Sequence, residues 1–282
     1  MRSLIFGAQG QLGRDLLVRF AQEGEVLGVD LPEVDIADGE AARATLDRFP
    51  ADWVINAAAY TDVEGAEDDA EAVFRVNEQG AGRVARAAGA AGVPVIYYST
   101  DYVFDGTKRR PYEPEDTAAP ISVYARSKWA GEAATRQANP RHFIIRTAWL
   151  YGPGGHNFVE RILRAATTRP SLKVVDDESG SPTYTWDLAA ATAALCKTDN
   201  YGPYHIVNAG CCSRFEFAQA IVRLRGIDTP VVPCRSSEFP TKAARPLYSV
   251  LSNAKFEAAT GHGMRRWEEA LHAYMDRRRQ EA

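Results

Sequence analysis

The chain has 282 residues and 30.9 kDa, with 45% hydrophobic and 25% charged residues, the proportions of an ordinary globular protein rather than of a disordered or collagen-like chain. Lys plus Arg is 33 and Asp plus Glu is 37, so the formal net charge is −4, which gives no reason to expect a nucleic-acid or membrane-surface partner. The four cysteines, Cys196, Cys211, Cys212 and Cys234, lack metal or redox spacing and read as free thiols, and the five histidines are scattered, so no protein-held zinc centre is expected.

In chain order, the apolar run Leu4-Phe6 is too short for the core of an export signal, and it opens an alternation of strand and helix patterns. Helical spacing at Gln11-Phe20 is followed by a strand at Val26-Val29, a helix at Gly39-Phe49 and a strand at Trp53-Ile55. An Ala-rich helix over Ala70-Ala91 and a strand at Val93-Tyr98 come next, then a helix at Ser122-Gln137 and a strand at His142-Thr147. Short apolar strands joined through helices require parallel pairing and right-handed crossovers, so the expected fold is α/β, a Rossmann-type doubly wound sheet. The longest uncharged stretch, Ala87 to Thr100, is broken by Gly89, Gly92 and Pro94 and is too short to span a membrane, so a cytoplasmic protein is expected.

After Leu150 glycines and prolines break the chain into shorter pieces. Helices are expected at Phe158-Ala166, Trp186-Cys196, Arg214-Leu224 and Arg266-Arg277, with strands at Leu172-Val175 and Tyr204-Val207. This divides the chain into a dinucleotide-binding domain over residues 1–150 and a smaller α/β substrate lobe over 151–282, with Tyr204-Val207 able to return to the first sheet. The run Arg277-Arg278-Arg279 reads as a solvated helix end.

Two patterns carry chemistry. Gly7, Gly10 and Gly13 follow the first strand and open the first helix in G-x-x-G-x-x-G spacing, which lets backbone amides near Gln11 and Leu12 approach a pyrophosphate at the positive helix end. Asp30 ends the second strand, 23 residues beyond Gly7, where a carboxylate binds ribose hydroxyls; it favours NADH, whereas Arg14 offsets its repulsion of a 2′-phosphate, so the preference between NADH and NADPH stays open. The second pattern is Tyr124 and Lys128, four apart on one helix face, 24 residues after Thr100 at the end of the fourth strand. An ammonium beside a phenol lowers its pKa from about 10, so Tyr124 is expected to protonate the oxygen of a carbonyl under hydride attack, with Thr100 holding that oxygen.

These segments, with Asn56-Ala57-Ala58-Ala59-Tyr60-Thr61, Tyr98-Ser99-Thr100-Asp101-Tyr102-Val103-Phe104, Arg146-Thr147-Ala148-Trp149-Leu150-Tyr151, Gly180-Ser181-Pro182-Thr183 and Ala244-Arg245-Pro246, resemble the extended short-chain dehydrogenase/reductase family, and within it the reductases of nucleotide-linked keto-deoxysugars. The resemblance spans nearly the whole chain. It implies NAD(P)H contacts at Gly10, Gln11, Leu12, Asp30, Asp35, Ile36, Ala59, Tyr60, Thr61, Tyr98, Tyr124 and Lys128, and sugar-nucleotide contacts at Thr100, Asp101 and Trp149. Arg245 adds bidentate donors suited to a diphosphate. The implied reaction is reduction of the C4 ketone of dTDP-4-dehydro-L-rhamnose. Another nucleotide ketosugar and a non-catalytic NADP-binding regulatory subunit are the alternatives. A sugar-nucleotide dehydratase is disfavoured, because Asp101 is followed by Tyr102 where that chemistry uses Glu. Some relatives pair through a magnesium-containing dimer interface, so a homodimer and Mg2+ are implied by the resemblance alone, with no ligand set assignable here.

Overall fold

The computed structural model describes residues 1–280. Its centre is a six-stranded, all-parallel sheet in the order β2-β1-β3-β4-β5-β10. The strands are β1 (Arg2–Phe6), β2 (Glu25–Val29), β3 (Trp53–Asn56), β4 (Val95–Thr100), β5 (His142–Thr147) and, from far along the chain, β10 (Gly202–His205). Nearly every residue of β3, β4 and β5 is buried, as a sheet covered on both faces requires. On one face Ile5, Ile55, Ile96, Tyr98 and Ile145 pack with Leu12, Leu16 and Phe20 of helix α1 (Gln11–Phe20) and with Leu188 and Phe256 from beyond residue 150. On the other, Leu4, Phe6 and Val54 pack with Leu46 of α2 (Ala41–Arg48) and Val84 of α4 (Ala81–Ala90).

The Ala-rich run is one continuous rod of three geometries rather than a single α-helix. A five-residue α3 (Ala70–Phe74) passes into a π-helical segment, Arg75–Gly80, and then into α4. The wider turn serves Asn77, which is buried there and bonds to Tyr60 and to Ser127. Helix α5 (Val123–Ala138) starts at Ser122, whose hydroxyl accepts from the Ala125 amide, and its first N–H donates to Glu67 Oε1 at 2.8 Å.

Beyond β5 lie β6 (Leu150–Tyr151), α6 (Phe158–Thr168), β7 (Leu172–Val175), β8 (Ser179–Gly180), β9 (Thr183–Tyr184) and α7 (Thr185–Leu195). After β10 come β11 (Cys212–Ser213), α8 (Arg214–Arg225), β12 (Val231–Cys234), α9 (Ala254–Thr260) and α10 (Trp267–Gln280). Tyr151, Tyr184, Phe217 and Tyr274 stack into a second core. The Arg277-Arg278-Arg279 run is not a solvated end. Arg277 donates to Asp15 Oδ1 at 2.7 Å, deep under α1, and Arg278 grips Glu160 at 2.8 and 3.1 Å, while Arg279 meets the exposed Asp276. Asp15 also accepts from Thr185 at 2.5 Å, so a buried carboxylate of α1 is held by α7 and α10. No helix of the described residues is long and apolar enough to cross a membrane.

Candidate active site

The chain reverses direction across the sheet between β1 and β3, and it is beyond the carboxyl ends of the strands at such a switch point that open α/β sheets bind their ligands. Gly7 (φ 78°) makes the turn, and a Cβ on it would lie 2.5 Å from the Ala58 amide; one on Gly13 would lie 2.0 Å from the Gly7 carbonyl. Both glycines are demanded by the fold. Gly10 is different: a Cβ there meets only the Gly7 carbonyl, at 3.4 Å, and no side chain caps the helix that Gly10 opens. The protein leaves the positive end of α1 bare, which fits an anionic dinucleotide bridge brought against Gly10, Gln11 and Leu12. Gln11 also donates to the Leu150 carbonyl at 3.3 Å.

Asp30 accepts from the amides of Gln9 and Leu31, both at 2.8 Å, so it shapes the glycine loop as well as standing at the ribose position. Arg14 folds back on the Gln9 carbonyl at 2.9 Å. Asp35 pairs with Arg75 at 3.0 Å. Ile36 is buried in the core, as is Tyr98, whose hydroxyl meets Thr192 at 2.7 Å. These two side chains do not turn to the crevice, so any contact they make there is through the main chain. Ala59, Tyr60 and Thr61 run on from β3. Asn77 clamps the Tyr60 peptide, accepting from its N–H at 2.9 Å and donating to its carbonyl at 3.1 Å. Asn77 escapes sequence reading because it sits in a segment that looks like an ordinary helix.

Thr100 and Asp101 stand at the end of β4 and Tyr124 in the first turn of α5, with Lys128 one turn further along that helix. Burial, with the neighbouring Asp101 and Tyr102, pushes the Tyr124 phenol above its ordinary range. The spacing predicts a phenol lowered by Lys128, whereas here burial and the neighbouring Asp101 raise it. Burial lowers the Lys128 ammonium to about 7, partly opposed by Glu132 one turn along. Its Nζ lies 4.2 Å from the Tyr97 ring centroid. Thr100 donates to Asp101 Oδ1 at 3.1 Å and accepts from the Tyr102 amide at 3.1 Å.

Further candidate contacts come from the chain beyond β5. Trp149 adopts a left-handed backbone (φ 48°) and lies under the Arg214 guanidinium, 3.5 Å from the ring centroid, with Gly180 so close that a Cβ would sit 2.4 Å from the indole. Arg245 donates to Glu64 at 2.5 Å, an ion pair to the first lobe, and its charge reaches Arg161 and Tyr102. Among the described residues no three His, Cys, Asp or Glu side chains gather where they could hold a metal.

The switch-point crevice, its bare helix end and the threonine, tyrosine and lysine beside it define the class: a Rossmann-fold protein of the extended short-chain dehydrogenase/reductase type. The family described as "RmlD substrate binding domain" matches residues 1–280, and the chain belongs to that family. It is 43% identical over 278 residues to dTDP-4-dehydrorhamnose reductase of Mycobacterium tuberculosis, covering 96% of this chain and 91% of that one. The crystal structure of a dTDP-4-dehydrorhamnose reductase from Clostridium acetobutylicum superposes with a TM-score of 0.96 at 40% identity, covering 99% of this chain and 100% of that chain. The Bacillus anthracis dTDP-4-dehydrorhamnose reductase, in complex with NADP, superposes with a TM-score of 0.95 at 36% identity, covering 98% and 99%.

Proposed function

We propose that the chain reduces the C4 ketone of dTDP-4-dehydro-L-rhamnose to dTDP-L-rhamnose with NADPH or NADH. The observation that carries this reading is the placement of Thr100 at the end of β4 and of Tyr124 and Lys128 on α5, in a fold whose glycine turn leaves the N-terminus of α1 without a side-chain cap. Reduction of a ketone needs a proton for the oxygen at the moment carbon gains hydride, and a neutral phenol is that donor. The reduced nicotinamide supplies the hydride.

In this reading Gly7, Gly10, Gln11, Leu12, Gly13 and Asp30 seat the dinucleotide, and Lys128 holds its ribose side near Tyr124 while carrying a charge that burial makes easy to lose. Thr100 and Tyr124 face the carbonyl, Trp149 supplies an aromatic wall, and Arg245, once exchanged from Glu64, binds the diphosphate. Residues 1–150 then serve the cofactor and 151–282 the sugar nucleotide. A cytoplasmic, homodimeric enzyme belongs to the same reading and rests on resemblance. Tyr102 stands where a dehydratase would need its acid, and it is buried against Arg214, which argues for reduction over elimination.

The test is oxidation of NADPH, followed by absorbance, with the ketosugar generated in place by the upstream dehydratase and epimerase. Loss of absorbance that depends on the sugar is expected. No loss with either nucleotide, despite measured cofactor binding and confirmed substrate, would falsify the assignment.

A further inference from the structure

Tyr97 of β4 is 1% exposed. Successive side chains of a strand face opposite ways, so Tyr98 joins the core shared with α1, whereas Tyr97 packs with Ala81 and Ile144 and reaches α5. Its hydroxyl donates to the Asn77 carbonyl of the π-helical segment at 3.1 Å and, more weakly, to the Lys128 carbonyl at 3.4 Å. Gly131 leaves the phenol its space, since a Cβ there would sit 2.3 Å from the hydroxyl. The far edge of the ring is therefore fixed between two helical elements.

Over the face of this ring stands Lys128 Nζ, 4.2 Å from the centroid. Lys128 is 3% exposed, and its ammonium has no hydrogen bond or ion pair among the described residues. The carboxylate one turn along α5 does not pair with it, for the oxygens of Glu132 accept from Ser99, Arg146 and Arg136. What holds the charge is the negative face of an aromatic ring, an attraction that grows when both partners are out of water. That arrangement has a chemical consequence. An ammonium has three N–H donors, and a carboxylate would draw on them, whereas a ring face fixes the cation and leaves donors for a ligand.

We propose that Tyr97 is a positioning residue, whose ring holds the Lys128 ammonium where the ribose of the dinucleotide meets it with donors unspent. This rests on the reductase reading above, in which Lys128 serves that ribose. The phenol hydroxyl has a separate task. It anchors the ring to the Asn77 carbonyl, so the aromatic face matters more to Lys128 than the oxygen does.

Two measurements test the role. The first needs no cofactor. The chain has six lysines, and in protein isotopically labelled at lysine Cε the NMR resonance of Lys128 should stand apart, displaced upfield by the ring and assigned by its loss in Lys128→Met. Tyr97→Phe should keep the displacement and Tyr97→Leu abolish it. The second is the Kd of NADPH, read by fluorescence titration. Tyr97→Phe should stay within about threefold of the wild type and Tyr97→Leu bind about tenfold more weakly, a difference that vanishes when Lys128→Met is also present. An equal loss with and without Lys128 would make Tyr97 a core residue alone and overturn the proposal. Should Tyr97→Leu fail to fold, replacing Tyr97 by phenylalanines bearing one, two or three fluorines keeps the shape while draining the ring face, and Kd should climb with each fluorine. A flat series, or the absence of an upfield lysine resonance, would equally overturn it. A wild type that binds no NADPH would refute the reductase reading, while the lysine resonance would still decide whether the ring holds Lys128.

Discussion

Two carboxylates are buried near the end of β4, and their surroundings differ. Glu132, on the α5 side, is 0% exposed and accepts from Ser99 at 2.6 Å, from Arg146 at 2.9 and 2.8 Å, and from Arg136 at 3.2 Å. Asp101, on the side facing the second lobe, has only two hydroxyls in direct contact, and burial pushes its carboxyl up to about 6. Guanidiniums match the charge of Glu132 and make it a strut joining β4, α5 and β5. Hydroxyls satisfy the lone pairs of Asp101 without neutralising it, and Arg214 offsets only part of the burial penalty. Equal burial therefore yields an ion-paired brace in one region and a carboxyl held above its ordinary range in the other, and the partner chemistry decides which.

The comparison can be broken in several ways. Tyr124→Phe removes the proton donor of the proposed reaction, and kcat for ketosugar reduction should fall by about 10²–10⁴-fold with the melting temperature little changed. Glu132→Ala strips Arg146 of its buried partner, and urea unfolding should show a loss of about 3–5 kcal/mol. Asp101→Asn should behave oppositely. The raised carboxyl favours the folded state while protonated, a contribution complete below about pH 4 and lost as pH rises through about 6, so the variant should gain on the wild type over that window by about 3 kcal/mol in paired melts at pH 4 and 8. If the difference were flat with pH, the contrast with Glu132 would collapse. Smaller still is the contrast at the C-terminal helix: Arg277→Ala, which loses the bond to Asp15, should cost about 1.5–3 kcal/mol in the same assay, and Arg279→Ala no more than about 0.5.

Much of this was legible in the sequence where pattern and physics coincide. Strand His142–Thr147 and helix Gln11–Phe20 stand at the residues their apolar spacing indicates, and the glycine loop and the Tyr124-Lys128 pair lie at the sheet edge. What escaped has identifiable causes. The π-helical turn at Arg75–Gly80 hides in Ala-rich spacing, and strand Val231–Cys234 carries Pro233, which argues against a strand from composition alone. Ser249 is one serine in a loop, and nothing local marks it as the partner of a residue 148 positions away. Arg277 was read as solvated because charge runs usually are, and only the tertiary fold, which brings Arg277 of α10 to Asp15 of α1, reveals the buried carboxylate it meets. The protonation of Tyr124 was misjudged for a related reason. Spacing announces a neighbouring ammonium, whereas the depth of burial depends on lobe packing.

The last strand of the sheet bears on how the protein is made. β10 pairs with β5, yet 55 residues separate Thr147 from Gly202. A ribosome adding about 5–20 residues per second leaves the backbone edge of β5 unpaired for roughly 3–11 seconds of each synthesis. That edge is apolar and ready to pair with another nascent chain. Chains terminated before Gly202 should therefore collect in the insoluble fraction even though they carry the whole glycine loop, Tyr124 and Lys128.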